Sequence, residues 1–282
     1  MKDRSWRIIP LVLLVLAFAC ARVEGQSPRV DKASGRAAPA AVEVKSDDPD
    51  VDGKALGIFN RMATYLATTP ALSVVVDSGY DAIQRNGMKI EFGETRTITL
   101  RRPDRLRIDT DTRDGNQRGI RFDGKTIGVF DTDQKVYATA EKSGSIDEAL
   151  NYFIDQLGMP IPLSELFASN LPKFTRNLQA LYYVERATIA GVPTDHLAGS
   201  TKSIDFQVWI AQGDQPLPQR LILTYKRDEG GPQRWAQFRS WNLAPSAPDS
   251  TFAFTPPKGA EKIPFAPRKV AAAPAAGKGG TQ

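Results

Sequence analysis

One histidine and one cysteine set the limits of side-chain chemistry in this chain of 282 residues. The cysteine, Cys20, sits in an N-terminal apolar run, which excludes a Cys–His catalytic pair, an internal disulfide and a zinc site of the usual Cys/His kind. The histidine stands in Thr194-Asp195-His196-Leu197. Asp195 is its neighbour, but successive strand residues point to opposite faces, so Asp195 cannot orient the imidazole as a triad acid would. Gly-x-Ser-x-Gly, phosphate-loop and metal-ligand spacings are absent from the sequence. Asp109/Asp111 and Asp131/Asp133 are i,i+2 carboxylates of a kind that can bind calcium, yet strand-edge solvation and turn capping explain them better. The expectation is a protein that is not an enzyme and carries neither cofactor nor metal.

Charge and aromatic placement suggest surfaces rather than reactions. Arg96, Arg101, Arg102, Arg105, Arg107, Arg113, Arg118 and Arg121 crowd one stretch and outnumber Asp104, Asp109, Asp111 and Asp114 there. The plain reading is a solvated convex face, and the sharper one is attraction to anionic lipid headgroups. Trp209, Trp235 and Trp241 occupy odd positions, and Trp209 falls opposite the apolar row Ile204, Phe206, Val208 and Ile210. Such aromatics either pack across strands or mark a partner surface, and packing is favoured.

The N-terminus reads as an address. Lys2, Arg4 and Arg7 precede the apolar run from Ile8 to Cys20, the n-region and h-region of a secretory signal and too short for a comfortable membrane span. Ala17-Phe18-Ala19 suits an ordinary signal peptidase, Leu16-Ala17-Phe18-Ala19-Cys20 resembles a lipobox that would leave Cys20 lipidated, and a third site follows Gly25. The expected organisation is a signal over 1–25, a flexible linker over 26–49, a folded domain over 50–262 and a disordered Ala/Pro/Gly/Lys tail over 263–282. Export makes nucleic acid an improbable partner. The expected compartment is the periplasm, with a lipid anchor at Cys20 to the outer membrane as the variant.

Within the domain, Leu56, Phe59, Met62, Ala63 and Leu66 recur at helical spacing until Pro70. Alternating strands follow, with a hairpin turn at Arg85-Asn86-Gly87-Met88 in which both central residues are expected at positive φ. Ser145-Ile146-Asp147-Glu148 is a capping box ahead of an apolar helix containing Leu150 and Phe153. Residues 159–178, punctuated by prolines, read as irregular or in short helices, and a second run of strands begins at Leu181. The fold class is α+β: an incomplete antiparallel β-barrel, a curved sheet of roughly ten strands, with helices over its concave face.

Three stretches carry a family resemblance: Phe122-Asp123-Gly124-Lys125-Thr126 with Asp131 and Tyr137-Ala138, the run Val208–Arg220, and Phe252-Ala253-Phe254-Thr255-Pro256-Pro257-Lys258-Gly259-Ala260. With the helix-first order, they make the chain similar to a bacterial family of predicted periplasmic proteins of unknown function. That family is related to the outer-membrane lipoprotein carriers and receptors of the LolA/LolB type, and more distantly to periplasmic sigma-factor regulators. The resemblance implies a half-barrel that can hold acyl chains between sheet and helices. No residue of this chain is matched to the arginine with which carriers latch their lid, nor to the receptors' exposed apolar loop.

The functional expectation is a non-enzymatic periplasmic protein binding an apolar ligand, a lipid or the acyl chain of a lipidated partner. Candidate lining residues are Phe59, Met62, Val74, Val76, Ile98, Leu100, Leu106, Ile108, Phe153, Phe206 and Val208. The alternative is an envelope sensor or scaffold with a closed core that binds another protein through its outer face.

Overall fold

A computed structural model describes residues 50–157, 159 and 161–265. The signal segment, Cys20, the linker and residues 266–282 of the tail lie outside the described residues. The first helix, α1 (Gly53–Thr68), starts where the Asp52 carboxylate accepts the Lys54 amide at 2.7 Å. It buries Ala55, Phe59, Met62, Ala63 and Leu66 on one face and stops before Pro70. Six strands follow as a meander: β2 (Ala71–Ile83), β3 (Lys89–Arg101), β4 (Arg105–Thr112), β5 (Gln117–Phe122), β6 (Thr126–Asp131) and β7 (Val136–Glu141). After α2 (Ile146–Asp155) comes a second meander of β8 (Leu178–Ile189), β9 (Val192–Thr201), β10 (Ile204–Ala211), β11 (Pro218–Tyr225) and β12 (Gln233–Asn242).

All of these strands form one curved, unclosed sheet, because β12 pairs antiparallel with β2 and welds the meanders together. Two short strands, β1 (Asp50–Val51) and β13 (Glu261–Lys262), add parallel to β8 and β7 at the two edges, bringing the strand count to thirteen. Neither has enough residues to show an alternating pattern, which is why the sequence suggests roughly ten strands.

The strand order dictates where the helices lie. β7 stands near one edge of the sheet and β8 near the other, so the chain between them must cross the whole width. That crossover carries α2 and two 3₁₀ turns, Ser164–Phe167 and Leu171–Asn177, and covers the concave face with α1. The capping box of α2 is complete: Ser145 Oγ accepts from the Glu148 amide at 3.3 Å, and Glu148 Oε2 accepts from the Ser145 amide at 2.7 Å. Inner-face side chains on even positions of β2–β4, among them Leu72, Val74, Val76, Leu100 and Leu106, are almost wholly buried under this layer.

The β2–β3 turn differs from expectation. Gln84 donates to the Met88 carbonyl at 2.8 Å and Gly87 to the Gln84 carbonyl at 2.9 Å, leaving a three-residue loop. Gly87 has φ of 82°, while Asn86 keeps negative φ and uses its side-chain oxygen to accept the Met88 amide at 3.1 Å. A left-handed glycine closing a type I turn satisfies the ladder without forcing Asn86 into the same region.

Candidate functional site

The concave face is not filled everywhere. Under α1 and the crossover, against β10 and β11, lies a cavity of about 490 Å³. α1 contributes Phe59 and Met62; β10 contributes Ile204, Phe206 and Val208; β11 contributes Leu221 and Leu223. The crossover closes it with Leu163, Leu166, Leu171 and Phe174. Three rings brace the wall: Phe59 stacks on Phe174 at 5.8 Å, and Phe206 meets Phe174 edge-on at 5.7 Å. Leu163 adopts φ of 67°, a left-handed conformation that costs a leucine roughly 1–2 kcal/mol and aims the chain into the first 3₁₀ turn.

The structure brings Phe59, Met62, Phe206 and Val208 together on this lining. Ile98, Leu106 and Ile108 instead border a crevice of about 10 Å³ beneath Ile161 and Pro162. Val74, Val76, Leu100 and Phe153 are fully buried in the packed half of the core, away from the cavity lining. Even-position alternation marks the inner face of a strand, but it does not say which part of that face another element fills. The lining residues that sequence reasoning missed come mostly from the crossover, where Leu163, Leu166, Leu171 and Phe174 recur at near-helical spacing between prolines. That spacing was the available signal.

Part of the lining is polar: Arg234 on β12, Tyr225 on β11 and the exposed Glu165. Arg234 Nη1 lies 3.4 Å from Glu94 Oε1, the same oxygen that accepts from Arg96 Nη2 at 2.5 Å. Arg96 also donates to the Pro162 carbonyl at 2.9 Å, tying the sheet to the crossover, and its buried Nε has no partner among the described residues. Burial is the main cause that lowers the Arg96 pKa from the ordinary arginine value; Glu94 opposes the shift and Arg234 adds to it. Beyond Arg96, a second cavity of about 380 Å³ runs along Ile120, Val129 and Tyr137 to Phe265.

A further arginine, Arg102, spans α1 and the crossover. It donates to the carbonyls of Leu66 at 3.1 Å, Thr69 at 3.2 Å and Phe167 at 2.8 Å. The remaining arginines of the crowded stretch are each paired as well: Arg101 with Asp249, Arg105 with Asp104, Arg107 and Arg121 with Asp109, Arg113 with Glu91, and Arg118 with Asp131. This pairing occupies the carboxylates of Asp109, which serves two arginines, and of Asp131, and it fits the plain reading of a solvated face.

His196 is packed flat on Trp209, with ring centroids 4.1 Å apart, and its Nε2 is 3.1 Å from Gln207 Oε1. Its Nδ1 lies 3.8 Å from Glu185. Trp241 is half-buried, stacked on Phe238 and donating to the Pro218 carbonyl at 3.1 Å.

Several solved structures are similar to this chain at low identity. Lipoprotein LppX of Mycobacterium tuberculosis is 15% identical, with 68% of this chain and 96% of that chain covered and a TM-score of 0.42. MucB in the MucA/MucB complex of Pseudomonas aeruginosa is 19% identical, with 72% and 62% covered and a TM-score of 0.40. A LolA superfamily protein of Nitrosomonas europaea is 10% identical, with 71% and 97% covered and a TM-score of 0.35. No curated protein matches the chain. A family model does, over residues 55–266, from the first turn of α1 to just past Phe265, and the chain belongs to that family, the predicted periplasmic proteins DUF2092.

Proposed function

We propose that this protein binds an apolar ligand, a lipid or the acyl chain of a lipidated partner, in the cavity between α1, the crossover and β10–β11, and does no chemistry on it. One observation carries the reading: about 490 Å³ of space walled by apolar side chains from four separate elements. Pockets of about 300–1,000 Å³ with such walls are the usual form of a small-molecule site. An acyl chain inside gains roughly 25 cal/mol for each Å² of apolar surface removed from water, and the aromatic wall requires no polar partner from it.

The periplasm is the compartment in which such a protein meets lipids, and the family description and the basic-then-apolar N-terminus both support it. Lipidation at Cys20 would hold the domain at a membrane through a tether. The scaffold alternative loses support because Trp209 and Trp241 are half-buried and packed against their own sheet.

Native mass spectrometry of protein purified from its own envelope, with titration of a fluorescent fatty acyl probe, tests the proposal. The expected result is a co-purified lipid mass and saturable probe binding. Failure of the delipidated protein to bind the probe would overturn it.

A further inference from the structure

The polar part of the lining says more about the cavity's occupant. We infer that the ligand is an amphiphile with an anionic head, a carboxylate or phosphate group, paired with Arg234 while its chain lies against Phe59, Met62 and Phe206. This inference rests on the cavity reading and specifies it.

Strand register sets a level across the inner face: Phe206 opposite Leu223, Leu223 opposite Arg234, Arg234 opposite Tyr80, and Tyr80 opposite Phe92. Deeper along β12, Ala236 and Phe238 are 0% and 2% exposed, whereas Tyr80 and Phe92 beyond Arg234 are 37% and 49% exposed. Arg234 therefore stands where the cavity meets solvent, its guanidinium steadied 4.8 Å above the Tyr80 ring. A chain whose head sits at the guanidinium runs past Phe206 on the same level toward Val208 and Leu221 one level deeper.

Arg96 and Arg234 share a single oxygen of Glu94, so two guanidiniums face one carboxylate and the cluster is one negative charge short. Its side chains are 10%, 14% and 9% exposed, too buried for water to screen the imbalance well. The Arg234 contact to Glu94 is long, at 3.4 Å, and uses one of the five N–H donors a guanidinium carries. The other charged liner, Glu165, is exposed to solvent, where its charge is screened. A bidentate carboxylate or phosphate is the complement such an arginine selects. A neutral lipid leaves the imbalance in place.

The test uses delipidated full-length protein and a matched pair of fluorescent probes, a long-chain fatty acid and the corresponding fatty alcohol. The acid should bind about tenfold or more tightly than the alcohol, as expected for one charge-assisted hydrogen bond in a partly buried site. Arg234→Gln should bring the acid-to-alcohol ratio close to one. Should that variant fail to fold, Arg234→Lys, which keeps the charge but loses the fork, should still lower the ratio severalfold. Equal binding of both probes to the unmodified protein, or a ratio untouched by either variant, would overturn the anionic head and leave the apolar cavity standing. Binding of neither probe would overturn both. Inorganic phosphate separates the sources of the anion. If phosphate alone displaces the acid at concentrations that leave the alcohol bound, the site recognises a free anion and the amphiphile assignment fails. If it displaces neither, the head is recognised only when carried by a chain.

Discussion

The ring of Phe206 lies directly over Gly199, its cross-strand partner, with Cζ 2.3 Å from where a Cβ on residue 199 would stand. The ring that walls the cavity from β10 thus takes its position from the absence of a side chain on β9. Gly199→Ala should push Phe206 toward the cavity and cost about 1–3 kcal/mol by overpacking. Gly57→Ala on exposed α1, where a Cβ meets nothing within 4 Å, should instead stabilise by about 0.5–1 kcal/mol. Urea unfolding of both variants checks the contrast, and equal effects would show that Phe206 is free to move.

Met62 and Leu100 are both essentially unexposed, yet only Met62 lines the cavity. Met62→Gln should lose less than about 1 kcal/mol, because the amide can reach water in the cavity, while acyl-probe affinity falls. Leu100→Ala should lose about 2–5 kcal/mol and leave probe affinity nearly unchanged. Probe titrations beside urea midpoints separate the two. A heavy stability loss for Met62→Gln would point to a dry, closed site.

Arg102 gathers three backbone carbonyls from α1 and the crossover, and burial pushes its pKa below the ordinary arginine value while Asp147 resists the shift. Arg102→Met should keep much of the side-chain volume and strand those carbonyls, for a loss of about 1.5–3 kcal/mol. Hydrogen exchange should quicken at the end of α1 and in Ser164–Phe167 before it does in β2 and β3. Uniform acceleration would mean the arginine holds the whole domain rather than this junction.

Asp77 links three strands on the outer face: Arg239 Nε donates to it at 2.6 Å and Thr95 Oγ1 at 2.8 Å. The Arg239 hydrogen bond is the largest cause that holds its carboxyl below the usual aspartate value. A group with a depressed folded-state pKa contributes stability above its unfolded value and loses it as pH falls through the folded one. Acid unfolding should therefore steepen below about pH 4, and Asp77→Asn should flatten that limb while leaving the slope near neutrality alone. Thermal melts across this range in low salt give the measurement.

Much of the architecture is written locally. The Asp52 cap with Pro70, the Ser145–Glu148 box, and the even-position apolar residues of β2–β4 each depend on neighbours within a few residues, so the pattern survives in a single sequence. The inner-face assignment of Phe59, Met62, Phe206 and Val208 follows from the same periodicity. What periodicity cannot carry is coverage. Val76 and Val208 show equal alternation, but Val76 is sealed by the layer above it, whereas Val208 faces an unfilled volume. That difference depends on how far the proline-punctuated crossover reaches across the sheet and on the summed volumes of its side chains. The pairing of β12 with β2 is likewise a tertiary event, joining Arg234 to Tyr80 and, one level deeper, setting Arg234 beside Glu94 across some 140 residues of sequence. Charge complementarity over that separation leaves no local trace. The sequence alone therefore determined which residues face inward, and the tertiary structure decided where the inward face stays open and which charge guards it.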